Sequence, residues 1–325
     1  MYQKAEDLAM AAYHLSGMGL SPGAVTVPLS YVYLLLKAAS LGNEDAKKFF
    51  ATSGEAGQST KGGPECLILF TSKDVIGGEV NPFEDQWFQS RREFPKAMWR
   101  YLSNLWKALE DEGFRPFYGS DWIKHIYFVE VDHTNFEDCF EKAGTTLYAL
   151  REKELWINMI GGSNQTNLAL LLAGTLLAVA VRYYYIFQSK ISYLHPETEK
   201  PDMRNPTDFV KDALRKWYEL PVFHLVPGEL VSRLYERLSQ DSMSEGELEK
   251  MLQEMGLDRS WIPKLRGRII NTDGKRVSRG PMLEMMAKLN ERIDRNVDNF
   301  PKWQEWGKRR GILWEMREGD LVKVQ

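Results

Sequence analysis

The sequence is poor in cysteine: its two thiols, Cys66 and Cys139, belong to no C-x-x-C pair. That excludes a disulfide framework and a thiol-rich zinc site, and it makes a reducing compartment, the cytoplasm, the expectation. A dominant charge is also lacking. Lys and Arg number 42 against 45 Asp and Glu, a formal net charge of −3, so whole-chain electrostatics announces no polyanionic partner. The N-terminus, MYQKAEDLAMAAYHL, has no basic region followed by an apolar core and cleavage site, so no signal peptide is expected. Long apolar runs are scarce. The strongest, Leu168 to Phe187, carries Arg182, and its second half is rich in strand formers. A buried helix leading into a buried strand fits it better than a membrane span. Two glycine signatures are missing as well. There is no GxxxxGK[ST], and no GxGxxG follows Cys66–Phe70, the run expected to form the first strand. Neither a P-loop ATPase nor an ordinary NAD dehydrogenase is expected on that ground.

With 325 residues, 43% hydrophobic and 27% charged, the chain has the composition of a globular protein of two or three units. Residues 1–52 read as a helical hairpin. Ala5, Leu8, Ala9, Ala12 and Tyr13 recur at helical spacing, glycines and Pro22 break the chain, and a second helix follows through Tyr31, Leu34, Leu35, Ala38 and Ala39 to Gly42. The wording AAYHLSGMGLSP…YLLLKAASLGNEDAKKFF is similar to a Sel1-type repeat. Thr52 to Gly63 reads as a linker.

Residues 64–226 alternate strands and helices. Expected strands are Cys66–Phe70, Ile126–Val131, Leu155–Ile160, Tyr183–Phe187 and Pro221–Leu225; expected helices are Phe94–Gly113, Asn135–Leu150 and Asn167–Ala180. This predicts an α/β fold, a Rossmann-like parallel sheet with helices on both faces. Residues 227–325 read as a mainly helical unit, with helices at Glu229–Leu238, Glu245–Met255, Arg259–Ile270 and Met282–Ile293, a turn at Asn271–Gly274, and a strand-like tail at Leu321–Val324.

Ligands of open parallel sheets sit beyond the carboxyl ends of the strands. Two loops have that position: Thr71-Ser72-Lys73-Asp74 and Gly161-Gly162-Ser163-Asn164-Gln165-Thr166. Paired glycines before a helix admit a phosphate to the backbone amides, and the polar residues supply donors or cap the helix. The same pair also reads simply as a tight turn. Asp132 and His133 read as an acid–base pair or as capping and loop residues.

The segment INMIGGSNQTNLALLLAG resembles the signature of CRISPR-associated Rossmann fold (CARF) domains, and CLILFTSKDV is similar to that family's first strand and Ser-bearing loop. The resemblance covers about residues 64–225. It implies a homodimer whose two sites clasp one cyclic oligoadenylate, the second messenger of type III CRISPR antiviral defence. It points to Ser72, Lys73, Gly161, Gly162, Ser163, Asn164 and Gln165 as ligand contacts, with no cofactor and no metal. Asn164 and Gln165 stand where many relatives carry Lys or Arg, which leaves ring size open.

Such sensors are commonly fused to an output. The R-x4-H motif of a helical ribonuclease is absent: none of the five histidines has an Arg five positions before it. Glu247, Glu249 and Lys250 fall on a helix and fit a metal-dependent nuclease poorly. From Asp258 to Arg310 the chain carries 14 Lys and Arg against 7 Asp and Glu. Leu248–Met255, Gly256 and Arg259–Ile269 have the spacing of a helix-turn-helix, with Lys264, Arg266 and Arg268 on the second helix and a wing-like turn at Lys275, Arg276 and Arg279. Duplex DNA and a protein partner both remain open for this unit. So does an enzymatic reading, either cleavage of the ring through Ser72, Lys73 and Ser163 or a nuclease centre of another kind.

Overall fold

The computed structural model describes residues 12–51, 63–77, 94–114, 122–177, 179, 181–186, 204–220, 227–273, 275–300 and 302–325. In chain order these form β1 (Ala12–Gly17), α1 (Gly23–Ser40), α2 (Glu44–Ala51), β2 (Pro64–Thr71), α3 (Lys73–Gly77), α4 (Phe94–Asp111), β3 (His125–Glu130) and α5 (Phe136–Ala149). Then come β4 (Glu154–Asn158), α6 (Asn164–Leu176), β5 (Val181–Ile186), α7 (Thr207–Lys216) and β6 (Trp217–Leu220). The C-terminal part adds α8 (Gly228–Gln240), β7 (Met243–Ser244), α9 (Glu245–Glu254), α10 (Trp261–Leu265), β8 (Ile270–Thr272) and β9 (Arg276–Arg279). It ends with α11 (Leu283–Asn299), α12 (Trp303–Arg310), β10 (Leu313–Arg317) and β11 (Asp320–Lys323).

Eight strands make one sheet in the order β11-β10-β3-β2-β1-β4-β5-β6. The middle five are parallel, and β6, β10 and β11 join antiparallel at the two edges. The parallel order 3-2-1-4-5 is that of a doubly wound, Rossmann-like sheet.

Its central strand corrects the sequence reading. Ala12 and Tyr13, expected in a helix, begin β1, which pairs with β2 on one side and β4 on the other. Ala5, Leu8 and Ala9 lie outside the described residues. Local helical spacing yields here to non-local pairing: β1 is hydrogen-bonded along both edges, and its side chains alternate correctly between two buried faces. Leu15 enters one core, while Ala12 enters the other, where the His14 ring lies tilted against Trp156 at 5.1 Å. The second expected helix is present as α1. The expected linker after Ala51 and the strand at Pro221–Leu225 also fall outside the described residues, apart from Gly63.

The pleat of β2 shows how the two cores divide. Leu67 and Leu69 pack with α1, α2, α4 and α7; Cys66, Ile68 and Phe70 pack with α5 and α6. The second core continues without a break into α8, α9 and α11 through Leu234, Leu252 and Ile293. The C-terminal stretch is thus fused to the Rossmann layers, and β10 and β11 extend the sheet itself. Among the described residues α1 is the one helix long and apolar enough to cross a membrane. It is largely buried on the sheet, and its buried Lys37 pairs with Glu112.

Within residues 228–279 the element order is helix, strand, helix, helix, strand, strand, with the small antiparallel sheet ordered β7-β9-β8. For its β8–β9 hairpin this stretch is called the winged unit. A capping box between Ser244 and Glu247 starts α9. The expected helix Arg259–Ile270 is a correction: α10 spans only Trp261–Leu265, with Pro263 inside it, and Gly267 at φ 85° turns the chain into β8.

Candidate functional site

The strand order reverses between β1 and β4: β1 leads away to β2 on one side, and β4 follows on the other. Such folds bind ligands beyond the carboxyl ends of these two strands, and that position is called the crevice here. Its walls are the loop Met18–Pro22 after β1 and the loop Met159–Ser163 after β4.

These loops touch backbone to backbone. A Cβ at Gly17 would lie 2.6 Å from the carbonyl oxygen of Gly161 and 2.8 Å from Cα of Gly162. At Gly161 it would overlap the carbonyl oxygen of Gly17, and at Gly162, where φ is +85°, it would lie 2.6 Å from Cα of Gly17. Three glycines therefore form a single interlock. The expected role of Gly161 and Gly162, admitting phosphate to the backbone, has to share those positions with this packing. Gly19 differs: a Cβ there would meet only Cα of Gly162, at 3.9 Å, so its surface is open.

A buried asparagine holds the interlock. Asn158, the last residue of β4, donates to the Ala24 carbonyl at 2.8 Å and to Ser16 Oγ at 3.1 Å. Its Oδ1 accepts from the amide of Ile160 at 3.0 Å. The Ala24 carbonyl is available for a simple reason. Its partner in α1 would be the N–H four residues on, and that residue is Pro28, which has none. The proline thus frees a carbonyl that Asn158 uses to tie β4 to the start of α1.

Ser163 caps α6. Its Oγ accepts from Thr166 N at 3.1 Å and lies 2.9 Å from Thr166 Oγ1, while its carbonyl accepts from Asn167 N at 3.0 Å. Asn164 and Gln165 are exposed in the first turn. There the helix dipole and the first amides favour an anion.

Ser72 and Lys73 stand one strand further out, after β2. Thr71 Oγ1 donates to the Met18 carbonyl, and Met18 N to the Phe70 carbonyl, both at 2.8 Å, so this loop is bound to that of β1. Ser72 Oγ accepts from Val75 N at 3.4 Å, and Lys73 is exposed with no ion pair among the described residues. All the expected ligand residues therefore reach one edge of the sheet, but the β1 loop stands between the two groups. Ser16, Gly17, Met18 and Gly19 are not legible as site residues because β1, which holds the first two and leads into the others, begins with helical spacing, and Asn158 gains its role only from the pairing of β4 with β1. The spacing Gly17-x-Gly19-x-x-x-Gly23 after a Tyr-containing run was the signal for β1.

At the end of β3, Asp132 accepts from the amide and hydroxyl of Thr134 at 3.0 and 2.6 Å. Those bonds, the hydroxyl's first, hold its carboxyl below the usual range. It is a turn residue beside the Asn135 cap of α5, and its carboxylate bonds to Thr134 rather than to His133. Among the described residues no group of three or more His, Cys, Asp or Glu is placed to hold a metal ion.

The basic residues of the winged unit do not share a helical face, a second correction to the expected recognition helix. Lys264 lies over the Trp261 ring at 4.6 Å, and Arg266, past the end of α10, faces Glu245 at 3.6 Å. Arg268 sits in the turn after Gly267, exposed like Lys275 and Arg276 of the β8–β9 wing.

No protein-family profile matches the chain. Among solved structures, the chain is similar to Enterococcus italicus Csm6 bound to cyclic hexa-2'-fluoro-hexa-dAMP, at 12% identity and a TM-score of 0.38, over 93% of this chain. The chain spans 60% of the length of that structure. A likeness so loose carries no functional argument. A protein of Archaeoglobus fulgidus, described as uncharacterized, is 40% identical over 328 residues, spanning 97% of this chain and 99% of that one. With that identity along nearly the whole of both chains, this chain belongs to the same family as the Archaeoglobus protein.

Proposed function

We propose that the chain is a sensor of cyclic oligoadenylate in type III CRISPR antiviral defence. In this reading it is a cytoplasmic homodimer whose two crevices face one ring, and its winged unit carries the response to duplex DNA or to a protein. The observation behind this is the position of the Gly161-Gly162-Ser163 turn. It stands at the point where the strand order reverses and opens directly into the 13-residue helix α6. The likeness of this segment to the CARF signature names the anion. Ser163, Asn164, Gln165 and the open surface at Gly19 meet phosphate and ribose, and Lys73 supplies the nearby cation. The winged-helix order of α8 to β9 supports the nucleic-acid output.

A second reading has its own observation. Because β1 precedes the strand first expected, a glycine series, Gly17-x-Gly19-x-x-x-Gly23, does follow the first strand. Its spacing is one residue longer than the dinucleotide fingerprint, and β2 ends in Thr71, followed by Ser72 and Lys73 rather than by the acidic residue that binds the ribose of NAD. Calorimetry with cyclic tetra- and hexa-adenylate, NAD, NADP and ATP decides between them. Tight binding of one ring per two chains is expected. Binding of a dinucleotide alone would transfer the site to the second reading.

A further inference from the structure

The helix α6 begins at the crevice and ends against the winged unit, and α5 lies alongside it, packed on α11 and α12. The N-terminus of α6 carries Ser163 and Thr166; at its other end the Leu176 carbonyl oxygen abuts Gly228, the first residue of α8, where a Cβ would lie 3.0 Å from it. The helix α5 starts beside α6. Cys139 Sγ donates to the Asp132 carbonyl at 3.4 Å and lies 3.9 Å from Thr166 Oγ1.

Further along, α5 is gripped from the C-terminal side. Glu141, nearly buried, receives Arg310 of α12 at 2.6 Å and Asn296 of α11 at 3.2 Å, with Arg292 at 3.6 Å. Asn296 also donates to Thr145 Oγ1 at 3.1 Å. At Gly144 the absent side chain leaves room for Ile293 of α11 and for Leu177 at the end of α6. A last link closes the circuit: Asn290 of α11 donates to Ser232 Oγ of α8 at 3.0 Å.

We infer that α5 and α6 form a paired strut, so that a displacement of the α6 N-terminus in the crevice shifts α8 and α11 and thereby the winged unit. The inference goes beyond the ligand assignment, since it holds for whatever the crevice binds. The physical ground is that close-packed helices move as units, and that the packing described above joins crevice to wing through these two. Coupling of this kind is reciprocal: a perturbation at either end is felt at the other.

The test is hydrogen exchange, followed by mass spectrometry, on the full chain and three variants. Glu141→Gln removes the charge on which the α11 and α12 side chains converge. Arg310→Gln instead removes the half-exposed cation that meets Glu141 from α12, and serves if the first variant folds poorly. Thr166→Val perturbs the crevice end without touching the winged unit. Expected is exchange at least about threefold faster in residues 161–168 for the two distal variants, and in residues 228–238 and 290–299 for Thr166→Val. Changes confined in every variant to its own end would overturn the strut. A further arm adds cyclic tetra-adenylate to the unmodified chain. Protection at both ends supports the strut, and protection confined to the crevice overturns it. Absence of any effect counts against the ligand assignment, while the three variants still decide the coupling.

Discussion

At the carboxyl edge of the sheet, Gly17, Gly161 and Gly162 meet backbone to backbone, braced by a buried asparagine. At the tip of the β8–β9 hairpin of the winged unit Lys275 and Arg276 stand in solvent, and Arg268 is exposed in the turn at its base. Both regions are turns that end strands, and both are candidate binding surfaces. In the first, the glycines are fixed by sterics, so any ligand contact there would share its residues with structural necessity. In the second, side chains are held by little and are available for function alone. Mutations therefore mean different things in the two places.

The largest expected effect breaks the first region. Gly17→Ala puts a Cβ against two backbone atoms that cannot rotate aside. It should cost on the order of 3 kcal/mol, read as a lowered urea midpoint. Gly162→Val would combine such a clash with a positive φ, so its loss of ligand binding would report unfolding rather than blocked phosphate.

Next comes the brace. Asn158→Ala leaves the Ala24 carbonyl and the Ile160 amide without their partner and should cost about 2 kcal/mol. The proline argument sharpens this. In a Pro28→Ala background α1 regains its own donor to Ala24, so the penalty of Asn158→Ala should shrink. Strictly additive penalties in a double-mutant cycle would contradict that account.

Much of this was legible in the sequence, and what was not has a physical cause. β2, β3, α5, β4 and α6 were found because apolar runs and caps are local signals, as with Asn135 before α5. β1 was not, because His14 and Ser16 interrupt its apolar run, and its stability comes from two neighbours far along the chain. The site suffered in consequence. Ser163 and the glycines were recognised by their turn chemistry, but Gly17 and Asn158 acquire meaning only once β1 and β4 are adjacent. In the winged unit, α10 was overextended because Arg259–Ile270 has helical spacing, whereas Gly267 and the pairing of β8 with β9 end the helix early.

The wing gives the contrasting result. Replacing Arg268, Lys275 and Arg276 together with Ala should change stability by no more than about 0.5 kcal/mol per site. If the unit binds duplex DNA, affinity should fall, and the salt dependence should flatten by about one unit of slope for each phosphate no longer neutralised. A gel-shift titration at low salt in which the unmodified chain ignores DNA would assign the wing to a protein partner.

The smallest effect distinguishes the regions by pH. Glu247 is exposed, and the backbone amide of Ser244, then Arg237 and the Ser244 hydroxyl, bring its pKa down from 4.5 to about 2. A carboxyl whose pKa is depressed by folding stabilises the folded state above its ordinary value and loses that contribution as pH falls through the depressed one. The start of α9 should therefore weaken between about pH 4.5 and pH 2. Glu247→Gln should remove that part of the acid dependence, because an amide has no proton to gain there. The glycine interlock carries no ionisable group, so residues 161–168 have no local reason to respond in this window. Hydrogen exchange across the window checks both statements: amides of residues 245–254 should lose protection first in the unmodified chain, and the variant should show a flatter profile. Equal acid sensitivity in Glu247→Gln would mean that the capping box does not govern the start of α9.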